Sequence, residues 1–86
     1  MRYTVVFKPS AHKALLKLDR VIQRQLIEAA DTLADDPRPH GVEKLSGEHN
    51  LWRIRVRDWR MVYEIQDRQL VVLVLKVGHR RDIYRR

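Results

Sequence analysis

The chain has 86 residues, no cysteine and a formal net charge of +7. That length makes one domain, residues 1–86, with a modest core. The lack of cysteine excludes disulfides and thiolate metal clusters and fits a reducing cytoplasm. No apolar run approaches the roughly 18 residues needed to cross a bilayer, so no membrane partner is expected, and residues 1–8 read as a strand rather than a signal peptide.

The charge is unevenly placed. Residues 1–52 carry eight Lys/Arg against seven Asp/Glu, whereas residues 53–86 carry ten against four. A balance of +1 in the first part and +6 in the second points to a focused basic patch suited to a polyanion.

In chain order, "RYTVVFK" is β-branched and alternating enough to be a first strand. Pro9 is expected to stop it and Ser10 to cap a helix. In "AHKALLKL", Ala11, Ala14, Leu15 and Leu18 fall on one helical stripe. Asp19 offers a second cap, before a helix whose Ile22, Leu26, Ala29, Ala30 and Leu33 share a face. Pro37 and Pro39 end it, because a residue preceding proline is pushed out of the helical region. The pair reads as an αα-hairpin that packs into the core.

"RPHGVEKLSGEHN" is polar, contains Gly41 and Gly47, and reads as a connecting loop. Three strand-like runs follow, at residues 51–56, 59–65 and 70–77. Arg57-Asp58 and Asp67-Arg68 between them are short enough for tight hairpins. The last run, "LVVLVLKV", is apolar on both faces, as a central strand covered on both sides would be. The expected architecture is α+β: an N-terminal strand, a two-helix hairpin and a three-stranded antiparallel meander. The helices should pack on one face of a four-stranded, mainly antiparallel sheet.

Residues 51–65 read "LWRIRVRDWRMVYEI". If Arg57 and Asp58 are the central turn residues, 56 pairs with 59, 55 with 60, 54 with 61, 53 with 62 and 52 with 63. Side chains alternate along a strand. Trp52, Ile54, Val56, Trp59, Met61 and Tyr63 then face the helices, and Arg55 lies opposite Arg60 on the other face, with Arg53 one step away. Like charges directly opposite each other destabilise a sheet. An anion held between them resolves the conflict, and the planar guanidinium fork suits phosphate. Beyond the last strand, "GHRRDIYRR" supplies His79, Arg80, Arg81 and Tyr84. Gly78 would permit a sharp exit, His79 has the intrinsic pKa of a general acid–base, about 6.5, and Tyr84 offers a proton or a stacking surface.

Together, "LWRIRVRDWRMVYEI" and "VLVLKVGHRRDIYRR" closely resemble the RelE branch of the RelE/ParE toxin superfamily. The upstream strand, helix pair and "KLSG" loop resemble it as well, so the similarity spans almost the whole chain. RelE-like toxins are ribosome-dependent endoribonucleases that cut mRNA in the ribosomal A site, and the resemblance implies that activity here. It matches the family's functional positions to Arg53, Arg55, Arg60, Arg80 and Tyr84, with His79 as an alternative acid–base. Arg57, Arg81 and Arg85 are expected to hold flanking RNA.

The implied chemistry is attack of a ribose 2′-OH on the adjacent phosphate, with arginines stabilising the charge that develops. Arginine is a poor base, its pKa lying above about 12, so the proton falls to Tyr84 or His79. Founding members of the family carry lysines where this chain has Arg53 and Arg55. No cofactor or metal is expected, since His12, His40, His49 and His79 show no ligand spacing with acids. The implied partners are a RelB-like antitoxin, the ribosome and mRNA, with operator DNA reached only through the antitoxin. Two other readings stand beside this one: a ParE-like poison of DNA gyrase, against which Arg60, Arg80 and Tyr84 together argue, and a non-catalytic basic module that binds nucleic acid through phosphates.

Overall fold

A computed structural model describes residues 2–45, 50–79 and 81. Its elements are β1 (Thr4–Phe7), α1 (Pro9–Leu16), α2 (Arg20–Asp35), β2 (Glu43–Lys44), β3 (Leu51–Val56), β4 (Trp59–Gln66) and β5 (Val71–His79). The fold is α+β, as expected, but the sheet has five strands rather than four, in the order β1-β5-β4-β3-β2. The extra strand, β2, lies in the segment read as a loop. Its two residues pair antiparallel with the outer edge of β3, Glu43 opposite Arg53 and Lys44 opposite Trp52. Composition gave no sign of it, because two polar residues become a strand only when a neighbouring edge offers unpaired backbone groups.

The helices form where the apolar stripes placed them, with one change at the start. Pro9 opens α1 rather than merely ending β1, and Lys8 rather than Ser10 occupies the cap position. Proline suits the first helical position because the amide it lacks has no intrahelical partner there. Asp19 holds the cap position of α2, without a side-chain hydrogen bond, and the helix ends at Asp35, before Pro37. Both helices lie on one sheet face. Ala11 and Leu15 of α1, with Leu26, Ala30 and Leu33 of α2, meet the inward side chains of β4 and β5 in a single core. Met61, Tyr63, Val72 and Val74 there have no exposed surface. Burying one such side chain contributes about 1.5–3 kcal/mol.

β5 is an interior strand, parallel to β1 on one side and antiparallel to β4 on the other. The β3–β4 register matches the sequence reading at all five pairs, from Val56 with Trp59 to Trp52 with Tyr63. The next hairpin differs. Gln66 pairs with Val71, so its loop spans residues 67–70 instead of two residues. The Leu70 amide donates to the Asp67 carbonyl at 3.2 Å, and Leu70 takes a left-handed φ of 56°. Leu70 therefore closes the turn rather than starting the strand.

β4 and β5 slip by one residue between Val62 and Tyr63: Val62 pairs with Lys76, but Tyr63 pairs with Val74. Leu75 is the extra residue of a β-bulge, and everything after it changes face. Val72 and Val74 point to the helices, and beyond the bulge so do Val77 and His79. Buried Tyr63 spans from the sheet to the chain leaving α2, its hydroxyl donating to the Pro37 carbonyl at 2.8 Å. Burial pushes the Tyr63 phenol well above its ordinary pKa.

Candidate anion site

The sheet face away from the helices carries the basic residues. Arg55 is directly opposite Arg60, and Arg53 is opposite Val62. The next strand places Gly78 beside Arg60. Gly78 was expected at the strand exit, but it lies within β5. The three arginines differ in setting. Arg60 is 8 % exposed, Arg53 is half-buried, and Arg55 is exposed, with its Nε donating to the Arg57 carbonyl at 3.3 Å. An arginine as buried as Arg60 is uncommon. The strand register, not its own preference, holds it there.

Arg53, Arg55 and Arg60 line a depression of about 240 Å³ together with Gly41 and Glu43. This is below the usual range for small-molecule pockets, about 300–1,000 Å³, and its lining of guanidinium groups suits a single anionic group better than an apolar ligand. Sequence reasoning missed two of the lining residues. Gly41, with φ 97°, turns the chain into β2. Glu43 reaches Arg53 as an ion pair. Their only signal in the sequence was a carboxylate two residues after a glycine, too weak without the β2–β3 pairing.

Of the other expected site residues, the three that are described, Arg57, His79 and Arg81, lie apart from this depression. Arg57 is exposed in the β3–β4 turn. His79 does not join the arginines. The bulge puts it on the helix face, paired with Trp59, and the two rings meet edge to face with centroids 5.4 Å apart. Arg81 is exposed, and its amide donates to His79 Nδ1 at 3.3 Å. Arg80, Tyr84 and Arg85 lie outside the described residues. Among the described residues, no group of three or more His, Cys, Asp or Glu could hold a metal ion, and no helix is long and apolar enough to cross a membrane.

A two-helix layer on one side of a mixed sheet, with arginines converging on the other, defines a class that the comparisons identify. The family described as "ParE toxin of type II toxin-antitoxin system, parDE" matches residues 5–84. The chain belongs to this family of type II toxin–antitoxin toxins and is a RelE-like member of it. It is 34 % identical to Toxin RelG of Mycobacterium tuberculosis over 100 % of both chains. It is 32 % identical to the mRNA interferase toxin RelE of Escherichia coli K12, over 93 % of this chain and 85 % of that one. Among solved structures, it superposes on the archaeal RelE–RelB complex from Pyrococcus horikoshii with a TM-score of 0.82 and 32 % identity. That match covers 93 % of this chain and 97 % of the other.

Proposed function

We propose that this toxin is a ribosome-dependent endoribonuclease that cuts mRNA in the ribosomal A site. The observation that carries the reading is the convergence of Arg53, Arg55 and Arg60 on one anion-sized depression. The name of the Escherichia coli relative, an mRNA interferase, supports it. In this mechanism the RNA supplies the nucleophile. The 2′-oxygen attacks the adjacent phosphorus in line as its proton leaves to a base, and the bond to the 5′-oxygen breaks as that oxygen takes up a proton, giving a 2′,3′-cyclic phosphate and a 5′-hydroxyl. Arg60 and Arg80 stabilise the negative charge that builds on the phosphoryl oxygens. Arg53 and Arg55 hold the neighbouring backbone, and Arg57, Arg81 and Arg85 hold RNA beyond it. Tyr84 is assigned the proton, because the ring of His79 lies across the sheet from the arginines. The donors are all side-chain cations, so the mechanism asks for no metal.

The relative from Pyrococcus was solved with RelB, and a RelB-like antitoxin is the partner proposed here. The arginine face offers charge complementarity to an acidic segment. β1, at the edge of the sheet with Val6 exposed, offers a strand to pair with. Operator DNA would be reached through that antitoxin.

The test is a reconstituted translation reaction on a defined mRNA, with 5′ ends mapped by primer extension. Cuts within the A-site codon are expected, and Arg60→Ala should slow them by about 10²–10³-fold, the usual cost of losing one donor to a developing oxyanion. The family's description as ParE favours one second reading, poisoning of DNA gyrase. Intact mRNA together with gyrase-trapped, cleaved DNA would establish that reading instead.

A further inference from the structure

Glu43 is out of place in a site for a polyanion. β2 is two residues long, and its register puts Glu43 directly opposite Arg53, on the arginine face. The Glu43 carboxylate pairs with Arg53 Nη2, and Glu43 lines the same depression as Arg53, Arg55 and Arg60. The Glu43 side chain is 65 % exposed, against 13 % for Arg53. The acid therefore sits over the guanidinium from the solvent side, where an incoming anion would arrive. A two-residue edge strand has few backbone bonds holding it, and such segments open at low free energy. Gly41, at φ 97°, makes the turn that precedes it.

We propose that Glu43 is the resident anion of the arginine site: its carboxylate occupies Arg53 until a phosphodiester chain displaces it. This rests on the reading of the arginine cluster as a phosphate site. The consequence is selectivity. An isolated small anion that reaches Arg53 must displace the Glu43 carboxylate from it. A nucleic-acid strand engages Arg55 and Arg60 with neighbouring phosphates, so the exchange at Arg53 becomes intramolecular and favourable. The carboxylate also lowers the positive field of the site, which discourages loose association with any polyanion.

The experiment titrates the full chain with a short 2′-O-methyl oligonucleotide, which has no free 2′-OH and is not cut, across a range of salt. Glu43→Gln should bind it 3- to 10-fold more tightly than the unaltered protein. Its plot of log affinity against log salt should be steeper by up to about 0.7, the increment for one further phosphate contact on a single strand. In an Arg53→Ala background the same change should gain no more than 2-fold. Glu43 is exposed, so a thermal melt should find both glutamine variants folded. If Glu43→Gln leaves affinity and slope unchanged while Arg55→Ala weakens binding, the resident-anion role is overturned and the arginine site stands. If Arg55→Ala has no effect either, the phosphate-site reading falls and takes the inference with it. Slower cutting by Glu43→Gln at unchanged affinity would also overturn the inference, because it would place the carboxylate in the chemistry instead.

Discussion

At the turn between β4 and β5, the Asp67 carboxylate accepts from the Tyr3 hydroxyl at 2.6 Å and from Arg38 Nη1 and Nη2 at 3.3 and 2.9 Å. The bidentate Arg38 fork, then the Tyr3 hydroxyl, hold the Asp67 carboxyl below its ordinary value, and Asp67 in return raises both Arg38 and Tyr3. Arg38 also lies over the Trp52 ring, 5.5 Å from its centroid. One carboxylate thus links the residues ahead of β1, the segment after α2 and the last hairpin. The sign of the linkage follows from the depressed value. Between the folded pKa and the unfolded one, near 3.8, the unfolded chain binds the proton that the folded chain does not. The stabilisation is complete above that window and is lost as the pH falls through it. Asp67→Asn should accordingly melt below the unaltered protein at pH 7, and the difference should close below about pH 4. Thermal denaturation of the two proteins from pH 7 to pH 3 measures this. Because the pair is solvent-exposed, added salt should also shrink the difference.

Individual elements owe their shape to a few positions. The β3–β4 turn places Arg57 at φ 57°, a region where an L side chain crowds the following carbonyl at a cost of about 1–2 kcal/mol. Glycine adopts it freely but loses more chain entropy on folding. Arg57→Gly should therefore raise stability by about 0.5–1 kcal/mol, measured by urea denaturation. The same variant should bind RNA more weakly if Arg57 touches the backbone. β5 is governed by the bulge at Leu75. Without it, residues 71, 73, 75, 77 and 79 would share the arginine face, and Val77 rather than Gly78 would stand opposite Arg60. With it, His79 packs on Trp59.

The whole molecule depends on one core. An 86-residue chain has little redundancy, and folding free energies for such domains are about 5–15 kcal/mol. Leu26 is fully buried where α2 meets the sheet. Leu26→Ala should cost about 2–5 kcal/mol, visible as a lower urea midpoint at unchanged slope. The charge asymmetry is also a property of the whole. The near-neutral first part supplies the helices, and the basic second part supplies the meander that bears the arginines.

Much of this was legible in the linear chain because it follows from short periods. Spacings of three and four placed the helix faces, alternation by two placed Trp52, Met61 and Tyr63 inward, and a two-residue turn at Arg57-Asp58 then put Arg55 opposite Arg60. What the tertiary structure alone decided depends on pairing between distant segments. β2 exists because the free edge of β3 was there to receive it, and that pairing brings Glu43 to Arg53. The bulge at Leu75 depends on how β4 and β5 pack together, and it sends His79 to the other face. Local pattern reports which way a side chain points relative to its neighbours in sequence. Only the assembled sheet determines which charge it meets.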